Sequence, residues 1–195
     1  VARDSIPASI LTPTLDAGAV RVWTRVKWLS EADIYDRLTR LYNARHLAIA
    51  FHMEHSRAKR FARPLSVVLI DIDDLTGINQ RLDRTGGTRA LIEIAEIART
   101  RPRDYDLVFR LDDDDFLILL PETDGAGARR VAEDLVAAVA GTAIAGQPPG
   151  AITVTGGFAQ VRADDKTEGL RSVLERAQVG QAQARADGGN KTFEF

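Results

Sequence analysis

The segment Leu65-Ser66-Val67-Val68-Leu69-Ile70 is almost wholly apolar and stops abruptly at Asp71-Ile72-Asp73-Asp74. A run of strand length without polar alternation predicts a strand covered on both faces, and therefore a sheet with helices packed on either side and this strand near its centre. Two further apolar runs, Leu107–Leu111 and Phe116–Leu120, are separated only by Asp112-Asp113-Asp114-Asp115 and are stopped by Pro121, which reads as a β-hairpin. Four adjacent carboxylates are a costly tip. Like charges a few Å apart repel by roughly 4 kcal/mol at an effective dielectric near 20, so the tip needs solvent, a bound cation or a functional reason. The acidic strand end, the acidic tip and the loop Arg103-Asp104-Tyr105-Asp106 together suggest an altered nucleotide site. A solvated acidic turn without a ligand is the ordinary alternative.

Around these runs the pattern alternates. Asn43 is placed to cap a helix carrying Leu47, Phe51 and Ala58 inward, ended by Pro64. Gly86-Gly87 leads into Leu91, Ile94, Ala95 and Ala98 at helical spacing, with Glu93 and Glu96 on the wet side. Val131, Leu135 and Val139 mark another helix; Ile152–Ala159 reads as a strand; Leu170, Val173, Leu174 and Ala177 mark the last helix; Thr192–Phe195 reads as a terminal strand. From Leu65 the order is β, α, α, β, β, α, β, α, β, which predicts an α/β (α+β) domain with a central mixed sheet flanked by helices. Residues 1–33 read as a linker or the end of an upstream domain, and 34–195 as the domain itself. Within the first part, Val20–Trp28 alternates as a strand does, residues 30–33 open a short helix, and Trp23 and Trp28 suit packing against an upstream segment.

The composition narrows the function. At 195 residues with 45% apolar content the chain can bury one core, and 26 basic against 28 acidic side chains give no general pull toward nucleic acid or an anionic membrane. Cysteine is absent, so no disulfide, thiol catalyst or sulfur-ligated metal is available; this is compatible with a cytoplasmic location. No apolar stretch approaches the ~20 residues of a membrane span. The chain opens on Val1 and its sole methionine is Met53, which reads as a fragment of a longer protein, one that can carry membrane-associated parts. His52 and His55 have a metal-compatible spacing but no third ligand nearby in sequence. There is no P-loop and no G-x-G-x-x-G.

Taken in order, the motifs resemble the GGDEF domain of diguanylate cyclases, bacterial enzymes that join two GTP molecules into cyclic di-GMP. Asp36-Arg37-Leu38-Thr39-Arg40-Leu41-Tyr42-Asn43 is similar to the family's D-x-L-T-G-L-x-N; Pro64-Leu65-Ser66 with Asp71-Ile72-Asp73 resembles its metal-binding strand; Ile78-Asn79 sits at its I-N pair. Arg110-Leu111-Asp112-Asp113-Asp114-Asp115-Phe116 occupies the place of R-Y-G-G-D-E-F, Thr153-Val154-Thr155-Gly156-Gly157 that of T-V-S-x-G, and Ala184-Arg185 with Gly188 and Asn190 that of A-K-x-x-G-R-N. Their order and spacing cover Asp36 to Asn190. The resemblance implies a ferredoxin-like, polymerase-palm fold.

It also implies roles. Asp71, the carbonyl of Ile72 and Asp114 match the set that holds Mg²⁺ on the triphosphate, an oxygen-only set as a hard cation requires. Asp115 stands where a catalytic Glu helps activate the 3′-hydroxyl and is one methylene shorter. Asn79 matches a guanine contact, Thr88 replaces an Asp that reads the base, and Arg185 preserves a phosphate-facing cation, whereas Gly189 and Thr76 replace basic residues. Asp112 and Asp113 replace two glycines, adding Cβ atoms and negative charge where the triphosphate would lie. These replacements argue against efficient GTP condensation.

A second site is implied five residues before the signature, where Arg103 and Asp106 match R-x-x-D, the family's product-inhibition motif, with Arg57 on the first long helix a candidate to complete it. A guanidinium fork and an accepting carboxylate suit guanine edges and phosphates, so cyclic di-GMP binding without a required cofactor is expected. Arg101/Asp104 and Arg162/Asp165 share the spacing, so position, not pattern, carries the weight. The plain alternatives are a surface ion pair, or Asp106 capping a turn. The leading expectation is a catalytically impaired receptor, signalling to an attached upstream sensor or effector domain or as a homodimer. The rivals are a weakly active diguanylate or other cyclic-dinucleotide cyclase, and a nucleotide-independent dimerisation or interaction module.

Overall fold

The computed structural model describes residues 34–162 and 168–195. The expected linker, the strand over Val20–Trp28 and the helix start at 30–33 lie outside them. Six strands form one mixed sheet in the order β1-β3-β4-β2-β5-β6, where β1 is Tyr42–Asn43, β2 Leu65–Ile72, β3 Leu107–Arg110, β4 Asp115–Pro121, β5 Val154–Gln160 and β6 Thr192–Glu194. Four helices join them: α1 Ala44–Phe61, α2 Leu75–Thr100, α3 Gly125–Gly141 and α4 Leu170–Ala186.

β2 lies between β4 and β5 and is antiparallel to both. Its side chains divide by parity. Val68, Ile70 and Ile72 enter a core with Phe116, Ile118, Leu120 and Phe158 against α2 and α3; Leu65, Val67 and Leu69 enter another with Leu117, Leu119 and Phe109 against α1 and α4. Both faces are dry, which is why the strand carries no polar alternation. Full burial of each large aliphatic side chain contributes about 1.5–3 kcal/mol.

The helix ends follow their capping chemistry. The Asn43 side chain accepts from the His46 N–H at 3.0 Å, and α1 ends on a left-handed Ala62, φ 50°, with the Ala62 and Arg63 amides both donated to the Ala58 carbonyl before Pro64. α4 lies close on β5, because a Cβ on Gly157 would stand 2.0 Å from the Ala177 carbonyl oxygen. This contact sets the position of Arg185 on the helix's last turn. β1, which pairs in parallel with β3, was not legible in the sequence: two residues are too few for any period.

α2 is two helices meeting at Asp83, whose φ of 61° and ψ of 179° lie in a region that only glycine occupies freely. Its carboxylate accepts from the Thr85 and Gly86 amides at 2.7 and 2.9 Å and so caps the second segment. Asp83→Gly relieves strain of about 1–3 kcal/mol and loses only a few tenths in the cap and up to about 1 kcal/mol of chain entropy. A rise in Tm of a few degrees is expected for Asp83→Gly and a fall for Asp83→Ala; the reverse order in thermal melts would contradict the assignment of strain.

Candidate functional site

The sheet register assembles the acidic end. Asp71 stands opposite Asp115 on one side and Thr155 on the other, and the Ile72 amide donates to the Asp114 carbonyl at 3.4 Å. Asp71 and Ile72 are therefore neighbours of Asp114, which is distant from them in sequence. Asp73 is committed elsewhere: it accepts from Thr153 Oγ1 at 2.7 Å, Thr155 Oγ1 at 2.6 Å and the Asn190 amide at 3.3 Å, tying β2 to β5 and to the turn after α4. Asp74 caps α2 through the Gly77 amide at 3.0 Å. Gly189, at φ 70° in that turn, would bring a Cβ 3.1 Å from Thr155 Oγ1.

The hairpin tip closes without glycine. No residue from Leu111 to Asp115 has a positive φ, so the two aspartates in the place of glycines sit at backbone angles open to any residue. Arg110 supplies the organisation. Its guanidinium donates to the Asp112 carbonyl at 3.1 Å, the Asp113 carbonyl at 2.8 Å and the Asp36 carboxylate at 3.1 Å. Burial would raise the Asp36 carboxyl, but donation from the Thr39 amide and hydroxyl and from Arg110 holds it below its ordinary value. What distinguishes this tip is charge, with Asp112 and Asp113 exposed beside it.

The donor set bears on a cation. Asp71 Oδ1 is buried without a hydrogen-bond partner, the situation that a bound cation relieves, while Oδ2 is held by the Arg185 guanidinium. Among the described residues no three His, Cys, Asp or Glu side chains converge as a cation cage, His52 and His55 included. Two carboxylates and one carbonyl fit a cation such as Mg²⁺ that keeps water or takes phosphate oxygens for its remaining positions.

Across the α2 kink, Asn79 meets the second segment at Gly87, the residue before Thr88. The Asn79 side-chain oxygen lies 1.8 Å from where a Cβ on Gly87 would be, so only glycine admits this approach. The Thr88 hydroxyl donates to the Arg84 carbonyl at 2.9 Å, which spends its proton on the helix backbone.

Arg103 and Asp106 belong to a separate cleft of 520 Å³, lined also by Tyr35, Arg40, Tyr42 and Arg99. Asp106 caps the turn, accepting from the Arg103 amide at 2.8 Å and returning its own amide to the Arg103 carbonyl at 3.0 Å. Its other carboxylate oxygen is buried and has no partner, and burial pushes its carboxyl above the ordinary value against the pull of Arg103. The Arg103 side chain reaches the Tyr105 hydroxyl at 2.9 Å. Arg57 is not among the lining residues; it pairs with Glu54 at 3.1 Å and faces a different hollow beside Pro121 and Glu122. Arg40 and Arg99 were missed in the sequence, where nothing local distinguishes them from other surface arginines.

Burial, reinforced by the charges of Asp114 and Asp112, pushes the Asp115 carboxyl up to about 7. The unfolded chain releases this proton near pH 4, whereas the folded chain keeps it until about pH 7, so this group's contribution to stability is lost as pH rises through that window. Asp115→Asn should flatten the fall of Tm over this range and gain roughly 1–3 kcal/mol on the wild type at about pH 8. Parallel melting profiles for the two proteins would refute it.

Comparison with known proteins agrees with this architecture. Residues 33–191 match the family model described as diguanylate cyclase, GGDEF domain. The response regulator PleD of Caulobacter vibrioides is 31% identical over 163 residues, 82% of this chain and 36% of that protein; the diguanylate cyclase DgcM of Escherichia coli is 30% identical over 168 residues, 85% of this chain and 39% of that one. The chain thus spans little more than a third of these curated relatives. In fold, it is similar to the GGDEF domain of DgcB from Caulobacter crescentus, solved in complex with c-di-GMP, with a TM-score of 0.78 at 20% identity over 87% of this chain and 96% of that one. The chain belongs to the GGDEF domain family of diguanylate cyclases.

Proposed function

We propose that this domain is a receptor for cyclic di-GMP, bound in the Arg103/Asp106 cleft, and that its acidic hairpin does not support efficient condensation of GTP. The observation that carries the reading is the buried, unpartnered oxygen of Asp106, a residue that lines a cleft together with Arg40, Arg99 and Arg103. A carboxylate oxygen kept dry without a donor is costly, and a guanine N–H edge supplies the donor while the arginines meet phosphates. Turn capping uses only the other oxygen, so capping does not account for the residue. The DgcB domain solved with c-di-GMP supports the ligand class. Arg57 lies away from the cleft of its own chain, which leaves it able to act on ligand held by a second copy, and a ligand-bridged homodimer follows. The bound state would then be passed to an attached upstream sensor or effector domain. No helix of the described residues is long and apolar enough to cross a membrane; a cytoplasmic setting is part of the proposal.

At the other site, Asp71, the Ile72 carbonyl and Asp114 would hold Mg²⁺, which when bound supplies charge neutralisation for a triphosphate. The exposed Asp112 and Asp113 work against that same anion: one carboxylate within ~4 Å of it costs roughly 4 kcal/mol, about a thousandfold in binding. The intact turn and the unpartnered Asp71 oxygen favour a second reading, a slow cyclase with altered base choice at Thr88.

Calorimetry with cyclic di-GMP should show binding, abolished by Arg103→Ala; absence of heat, or binding indifferent to that substitution, would defeat the receptor reading. Incubation with GTP or ATP and Mg²⁺, followed by chromatography, should give no cyclic dinucleotide in excess of the protein. Product beyond one equivalent would establish the cyclase instead.

A further inference from the structure

At the end of the sheet opposite the acidic hairpin, a cleft of 660 Å³ opens between the last turns of α1, the start of β2 and the end of β5. Its floor is Ala58, Pro64, Leu65 and Val161, and it is lined by the cations Lys59, Arg63 and Arg162, with no acidic residue among the described lining groups. The nearest buried carboxylate, Glu168, is already engaged by the Arg176 guanidinium and the Arg162 amide. Among the described residues no carboxylate pairs with the Arg63 or Arg162 guanidinium. His55, also in the lining, packs at a tilt against Phe51 with ring centroids 5.2 Å apart and has a buried Nε2 without a partner. The C-terminus of α1 opposes an anion here, but two amides already donate to the Ala58 carbonyl, and the exposed Arg63 and Arg162 guanidinium groups outweigh the residual partial charge.

We propose that this cleft binds a small amphiphilic anion, an apolar body carrying a carboxylate or phosphate head. The volume lies within the ~300–1,000 Å³ typical of small-molecule sites, and an apolar floor under a one-signed rim selects such a molecule over an uncharged one. A polynucleotide would need a basic surface that the net charge of −2 does not provide. The site shares no residue with the Arg103/Asp106 cleft or the acidic hairpin, so it stands whether or not the receptor reading does.

The test titrates the full chain with anilinonaphthalene sulfonate and with uncharged N-phenylnaphthylamine, which has the same rings without the anion. The sulfonate dye should bind, Arg63→Glu and Arg162→Glu should each weaken it about tenfold, and the neutral dye should change less than about threefold. Ala58→Trp should exclude both dyes by filling the floor. Decanoate and decyl phosphate should each be tried as competitors: displacement by either supports the proposal and names the head group. Displacement by neither, or equal response of both dyes to the charge reversals, overturns it. Both arginines are exposed, so the variants are expected to fold; thermal melts check this, with Arg162→Gln as the milder substitution. Cyclic di-GMP titration of Arg162→Glu separates this site from the proposed receptor cleft, because binding there should be unchanged.

Discussion

The pairing of β2 between two antiparallel neighbours is the constraint from which the rest follows. A strand dry on both faces admits only one register, since a slip of one residue would turn Val68 and Ile70 out of one core and Val67 and Leu69 out of the other. That register puts Asp71 opposite Asp115 and places Ile72 against Asp114. The acidic end is thus a consequence of how the core packs. Carboxylates collect at the edge of the sheet because the interior leaves them no other place.

Concentrated negative charge at that edge has to be offset, and two arginines do most of it. Arg110 spends its donors on the Asp112 and Asp113 carbonyls and the Asp36 carboxylate, so it orders the tip while leaving the Asp112 and Asp113 side chains exposed. Arg185 takes one oxygen of Asp71. Since the tip closes at ordinary backbone angles, the cost of replacing glycine here falls on electrostatics and not on backbone strain. A triphosphate approaching this edge would meet the exposed Asp112 and Asp113 while needing Arg185 for itself.

The Arg103/Asp106 cleft has the opposite balance: three arginines line it beside two aspartates, and one oxygen of Asp106 is dry and without a partner. In the reading proposed above, the two ends of β3 divide sensing from chemistry, with the ligand's donors completing Asp106 at one end and aspartates obstructing the other. Both unpartnered carboxylate oxygens, on Asp71 and Asp106, lie at positions where the family resemblance places ligand contacts.

The strand over Leu65–Ile70, the cap at Asn43 and the hairpin stopped by Pro121 were legible because each is written in contiguous residues: an unbroken apolar run, an amide acceptor before a helix, two runs around a turn. The motif spacing marked Asp71, Asp114, Arg103 and Asp106 as candidate site residues, whose roles belong to the proposal. Other features depend on contacts between segments distant in the chain. The role of Arg110 required Asp36, 74 residues away, to lie within reach, and Arg40 and Arg99 became lining groups only when the turn before β1 and the end of α2 came together beside the loop that leads into β3. Arg57 matched by position, yet packing turned it toward another hollow. Local periodicity and capping determine which elements form and which residue types are available, because those energies act over a few residues. Which carboxylate is held by which arginine, and which oxygen is left dry, was decided by the sheet register and by the close approach of α4 at Gly157, since charge pairing and desolvation depend on distance in space.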